Sequence, residues 1–289
     1  MRGVLVRVAV VAVVTAVAIW LVWLLIPSTA PAADLRTYQA GTESFYETGD
    51  PYAVNAERGL EEQYRYPPLL AMVLPALEWA WFPLLALAWT FVFWIRWREA
   101  GPWGLLLPLG VIGLWGQLLI AGNAEAFVVA GLIVVPLHRR TGALGAAVAT
   151  WLKIYPAAVV LFYIARRDWQ ALRWYAASVA VLGLIQLPWL DDYARYAMSD
   201  GAAVPAGMSP RFLGPAAWGF ATVVMASHVF VHARHASKAW AFTVGTMLMA
   251  IPRIIVPTLA LVLAHPKLLT PRIGRMSIRH ADRASSTRS

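Results

Sequence analysis

The sequence predicts an all-α, polytopic transmembrane bundle of about ten membrane segments with an outward-facing first loop. Three observations carry this prediction. The 289 residues are 60% hydrophobic and 13% charged, against about 25% charged in soluble globular proteins. The apolar residues come in continuous runs, without the period-2 alternation of a membrane β-barrel. The basic residues fall in short clusters between those runs, as membrane topology requires.

Taken in order, Val4 to Ile26 is an apolar run flanked by Arg2 and Arg7, long enough to span. It exceeds a usual signal-peptide core, and many further runs follow it, so it reads as a retained first span. Pro27 to Tyr66 is a polar loop holding 7 of the 15 carboxylates: Asp34, Glu43, Glu47, Asp50, Glu57, Glu61 and Glu62. Pro67 to Trp97 is apolar but interrupted by Pro68, Pro75, Glu78 and Pro83, too long for one straight span and short for two. Pro102 to Ile120 and Asn123 to Leu137 read as two spans joined tightly at Ala121-Gly122-Asn123. Gly142 to Ala165 is apolar except for Lys153, and Pro156 breaks it into two short helices. Ala171 to Leu187 spans again, and Pro188 to Pro215 is a second polar loop with Asp191, Asp192, Asp200 and Arg211. Ala216 to Val231, Ala239 to Met249 and Ile254 to Ala264 complete the set. Residues 1–264 form one integral-membrane domain, and the basic, Ser-rich tail 265–289 is expected to be disordered and cytoplasmic.

Charge sets the orientation. With the N-terminus cytoplasmic, 17 of the 24 Lys and Arg residues fall inside and five fall in the two outward loops. Ten carboxylates fall outside and three inside. The expected location is therefore the cell membrane, multi-pass. If 67–97 were a hairpin, Arg96 and Arg98 would land outside, so the parity of that stretch stays open. The formal charge of +9 does not form a nucleic-acid face, because it is dispersed among the apolar runs. No cysteine is present, which excludes disulfides, thiolate metal sites and cysteine nucleophiles. No Gly-rich loop follows a strand, so no soluble nucleotide site is expected.

Several residues are candidates for chemistry. Asp34 reads as a general base at the membrane surface, or as a solvated carboxylate or helix cap. Lys153 lies inside an apolar run, where a cation costs about 2.5–3.5 kcal/mol. It reads as a phosphate contact, or as a snorkelling side chain or a structural partner of Glu125. Asn123 and Glu125 follow a helix break and line the same cavity or a lipid surface. His228, His232 and His235 flank Arg234 and Lys238, and a basic juxtamembrane patch explains them better than a metal site. No acidic pair has convincing ligand spacing, so no metal and no cofactor is expected.

Asp34, Tyr38, Gly49-Asp50-Pro51-Tyr52 and Tyr66-Pro67-Pro68 in this order resemble glycosyltransferase family 87, the polyprenol-phosphate-mannose-dependent α-mannosyltransferases of the GT-C superfamily. Gly122-Asn123-Ala124-Glu125 stands where that family tends to have Gly-Gln-Val-Asn. Trp151-Leu152-Lys153-Ile154-Tyr155-Pro156 followed by Arg166-Arg167 is similar to its Lys-x-x-Pro segment and cytoplasmic turn, and Ala250-Ile251-Pro252-Arg253 to its late Ser-Pro break. The chain is short for the family, and Gly-Asn replaces Gly-Gln. The resemblance implies a GT-C-like bundle that moves a sugar, mannose by analogy, from a polyprenyl-phosphate donor to a glycan or glycolipid acceptor. Its partners would be these two and membrane lipid, with no nucleic acid. Asp34 would be the single base of an inverting displacement, since the leaving group is a phosphate and no acid is needed there. Lys153, then Arg211, would stabilise the departing phosphate. Tyr38, Asp50, Tyr52, Tyr66, Asn123 and Glu125 would bind substrate. Two other readings stand beside this one: a transporter or flippase of a lipid-linked sugar, and an inactive homologue.

Overall fold

The computed structural model describes residues 31–57, 63–101, 112–197, 206–207, 210–251, 253–254 and 256–264, with a few isolated positions beside them. Most of the first apolar run, the tail after Ala264, Arg58, Glu61, Glu62 and Asp200 lie outside the described residues. What is described is helical, apart from a two-residue parallel pairing of Ala206–Gly207 with Arg253–Ile254.

The first polar segment, expected as a loop, is largely helical over Ala33–Thr48. Helix α1 runs from Ala33 to Thr48 and buries Leu35, Tyr38, Gly41 and Phe45, a spacing of three to four residues that lays them along one face. The segment's many carboxylates suggested a loop, yet Glu43 and Glu47 sit on the solvent side of this amphipathic helix.

Helix α2, Pro68–Leu77, runs back along α1. Gln39 Nε2 donates to Glu78 Oε1 at 2.5 Å and Tyr46 Oη donates to the Met72 carbonyl at 3.2 Å, which fixes the two helices antiparallel. A 3-10 turn over Glu78–Ala80 then leads the chain into α3, Trp81–Ala100. The stretch 67–97 therefore belongs to one continuous helical run, Pro68–Ala100, with 3-10 geometry over Glu78–Ala80, and it forms no hairpin of two spans. Its first part lies on α1, and Arg96 and Arg98 sit at the far end of α3 from that contact.

Helices α4 (Ile112–Ala121), α5 (Glu125–Ile133), α6 (Arg139–Leu152), α7 (Val159–Ala165) and α8 (Trp169–Gln186) follow. Helix α6 packs against both α5 and α8. The α5–α6 contact depends on two glycines: a Cβ on Gly131 would stand 2.5 Å from the Gly145 carbonyl oxygen, and one on Gly145 would stand 2.7 Å from that of Gly131. Backbones approach this closely only where side chains are missing. Helix α9 (Leu190–Ala197) carries Asp191, Asp192 and Arg195 on an exposed amphipathic segment. Helices α10 (Pro215–Val231) and α11 (Ala236–Ala250) form an antiparallel pair in which Trp218 Nε1 donates to the Met249 carbonyl at 2.7 Å.

Two helical stretches are long and apolar enough to cross a membrane: Pro68–Ala100, of 33 residues with the turn inside it, and Trp169–Ala197, of 29 residues. The other described helices are shorter; α4, α5 and α6 have 10, 9 and 14 residues, against about 20 for one crossing. Large apolar side chains are exposed, among them Leu184, Leu187, Phe220 and Val231; exposed apolar surface of this kind marks contact with a membrane or another protein.

Candidate active site

Three chain breaks meet at one point. The first is the end of α4, where Gly122 adopts φ +79°, a left-handed conformation that suits glycine. Asn123 N donates to the Leu118 carbonyl at 2.8 Å and Gly122 N to that of Leu119 at 3.1 Å, the paired bonds of a Schellman stop. The turn throws the Asn123 side chain forward, and its Oδ1 accepts from Glu125 N at 2.8 Å at the start of α5. The second break is the start of α1: Ala32 N donates to the Ile120 carbonyl at 2.8 Å, which seats Asp34 beside Asn123. The third lies between α6 and α7. Pro156 has no N–H to offer Leu152, so the helix stops, and Lys153 takes an extended conformation (φ −150°, ψ 124°) that turns its side chain toward the other two breaks.

The side chains close into a chain of contacts. Asn123 Nδ2 donates to Asp34 Oδ2 at 2.9 Å. Lys153 Nζ donates to Asn123 Oδ1 at 3.3 Å and to Glu125 Oε2 at 2.7 Å. Tyr155 Oη donates to Glu125 Oε1 at 2.5 Å. Glu125 is 1% exposed and the Lys153 side chain 17%, so the carboxylate is fully buried and the lysine side chain partly exposed. Lys153 Nζ also lies 5.4 Å from the centroid of the Tyr66 ring, within reach of a cation–π contact.

Aromatic residues form the wall behind this chain. Tyr38 is fully buried; its hydroxyl donates to Tyr66 Oη at 3.1 Å and accepts from Ala124 N at 3.1 Å. Trp81 Nε1 donates to the Gly122 carbonyl at 2.8 Å, tying the first residue of α3 to the turn. Tyr52 Oη donates to the Tyr66 carbonyl at 2.7 Å, and Asp50 Oδ1 accepts from Tyr52 N at 2.8 Å. Tyr52 stacks on Tyr196 with centroids 5.0 Å apart and an interplanar angle of 6°.

Asp34 lies outside the span-length helices, and its partial burial raises its carboxyl above the ordinary value of 3.8. The Asn123 hydrogen bond and the Lys153 ammonium pull it down, and the Glu125 carboxylate adds to the rise.

The structure thus brings together Asp34, Tyr38, Tyr66, Asn123, Glu125 and Lys153. Asp50 and Tyr52 stand one step back and hold Tyr66 in place. The Arg211 guanidinium, just before α10, lies 5.0 Å from the centroid of the Trp218 ring. Arg253 is in the short strand pairing, and its side chain is outside the described residues. Tyr155 and Trp81 belong to the site and were not singled out as site residues by sequence reasoning. The one signal for Tyr155 was its place between Lys153 and Pro156; Trp81 gave none. His228 and His232 pack their rings on Phe242 at 4.9 Å. No group of three or more His, Asp or Glu stands together as a metal site among the described residues.

No protein-family model matches the chain, and neither does any curated protein or solved structure.

Proposed function

We propose that this protein is a multi-pass cell-membrane glycosyltransferase with a cytoplasmic N-terminus, moving a sugar, mannose by the family resemblance, from a polyprenyl phosphate to a glycan or glycolipid acceptor on the outer side. One observation supports this reading above the others. A single amide, Asn123, holds a carboxylate with one end and an ammonium with the other: Nδ2 to Asp34 and Oδ1 from Lys153. Asp34 has a second carboxylate oxygen for an acceptor hydroxyl. Lys153 has a partly exposed side chain whose ammonium is available to a phosphate.

In the transfer, the acceptor oxygen bonds the anomeric carbon as its proton passes to Asp34. The bond from that carbon to the phosphate oxygen breaks with its electron pair, and polyprenyl phosphate leaves with the extra negative charge. Lys153 stabilises this charge, while Glu125 and Tyr155 hold the ammonium in position. The anomeric centre inverts because a single displacement occurs. A lipid-borne donor is consistent with the exposed apolar side chains on the helices.

The test is Asp34→Asn in membranes supplied with a polyprenyl-phosphate sugar and an acceptor glycolipid. Loss of one base is expected to lower transfer by about 10²–10⁴-fold; undiminished transfer removes the assignment. The buried Glu125–Lys153 pair also suits a transporter of a lipid-linked sugar. That reading predicts flipping of a labelled donor across vesicles, unchanged in Asp34→Asn and lost in Lys153→Met.

A further inference from the structure

The opposite end of α6 carries a second constellation that the transfer chemistry does not use. At a rise of about 1.5 Å per residue it lies about 20 Å from Lys153. Two clefts of about 280 and 250 Å³ share Arg139, Arg166 and Asp168 and therefore adjoin. Tyr163 lines the second cleft; it is 2% exposed, and its hydroxyl has no hydrogen-bond partner among the described residues. Buried hydroxyls are ordinarily satisfied, so this one marks a place for a polar atom from outside the chain.

The surroundings define which atom. Helix α6 begins at Arg139 and α11 at Ala236, and neither start has a side-chain cap. Both residues line the second cleft, so the positive ends of two helices face it. Asp168, the acid in the cleft, is already engaged: Oδ1 accepts from Ala171 N at 3.2 Å, and Oδ2 lies 3.1 Å from Arg139 Nε. Arg166 Nη1 donates to the Ala233 carbonyl at 2.6 Å. These bonds aim both guanidiniums and leave further N–H donors on each, in the fork that suits phosphate. Arg167 lines the first cleft and adds charge, so cations outnumber the single carboxylate.

We propose that this cleft binds a phosphate group, with Arg139, Arg166 and the Tyr163 hydroxyl as its ligands. The group belongs to an anionic phospholipid headgroup or to free phosphate. The proposal does not depend on the transfer chemistry at Asp34.

The test follows thermal unfolding of the full chain in neutral detergent, at fixed ionic strength, in three titrations: inorganic phosphate, phosphatidylglycerol, and a phosphate-free diacylglycerol. A saturable rise in Tm with phosphatidylglycerol alone identifies a headgroup site. A rise with inorganic phosphate as well identifies a phosphate site open to water. The double variant Arg139→Gln/Arg166→Gln is expected to shift half-saturation upward by about tenfold or more. Tyr163→Phe removes only the orphan hydroxyl; it is expected to keep the Tm without ligand and to weaken binding by about threefold or more. A saturable rise with neither phosphate probe, an equal rise with diacylglycerol, or half-saturation unchanged in Tyr163→Phe overturns the proposal.

Discussion

Asn123 is the residue on which the site turns, because it serves a base, a cation and a helix start with one side chain. Its Nδ2 bond is one of the influences that hold the Asp34 carboxyl down against burial. Replacing it by Ala removes that bond, so the carboxyl rises further. As a base Asp34 acts only when deprotonated, so transfer falls as pH drops through its raised value. The acid limb of the pH–rate profile is expected above the ordinary 3.8 in the wild type and at still higher pH in Asn123→Ala, read from transfer rates at saturating donor. Stability has the opposite sign. A raised carboxyl favours the fold most when protonated, and that contribution is lost as pH rises through the folded value. Lys153 gives a second prediction at this scale. Lys153→Met leaves Glu125 charged and buried, which is expected to cost about 3–5 kcal/mol of stability in denaturant unfolding. Adding Glu125→Gln should restore most of this loss, because a neutral amide no longer needs the ammonium.

At the scale of elements, position is set by breaks more than by helices. Gly122 must hold φ +79°, and a Cβ there would also meet the Leu35 side chain at 2.9 Å. Gly122→Ala is expected to push α1 away from the α4 turn, lowering transfer at least about tenfold with little change in helix content by circular dichroism. The α5–α6 contact tests packing instead. Gly145→Val is expected to lower the Tm in detergent by several degrees, since overpacking costs about 1–3 kcal/mol; an unchanged Tm would show that the two backbones have room to separate. Much of this level was legible beforehand. The interruption at Lys153-Ile154-Tyr155-Pro156 and the tight joint at Ala121-Gly122-Asn123 both follow from proline and glycine chemistry. Helix α1 was not legible, because its burial pattern of Leu35, Tyr38, Gly41 and Phe45 is diluted by carboxylates on the other face. The course of 67–97 was not legible either, since no local property of α2 distinguishes a helix lying on α1 from the start of a span.

For the whole molecule, orientation is the property to test, and the absence of cysteine makes the test clean. Glu43→Cys on α1 and Arg167→Cys at the opposite end of the α6 layer are both exposed positions. In intact cells, an impermeant maleimide is expected to label the first and not the second, and both after permeabilisation. Equal labelling of both in intact cells would overturn the orientation and with it the outer placement of Asp34.

By itself, the sequence determined the helical class, the apolar surface, the charge asymmetry and the places where helices stop, because these depend on local composition and on the backbone limits of glycine and proline. It also nominated Asp34, Asn123, Glu125 and Lys153, each as an uncommon polar residue beside an apolar run. Only the tertiary structure decided that these four share one hydrogen-bonded chain and that Tyr155 closes it. It decided likewise that Arg211 lies over the Trp218 ring and that arginines at the start of α6 and the end of α7 line one cleft with the unpaired Tyr163 hydroxyl. The site's contacts, between residues 28 to 89 positions apart, depend on how the breaks aim their side chains in space, and no local pattern encodes that aim.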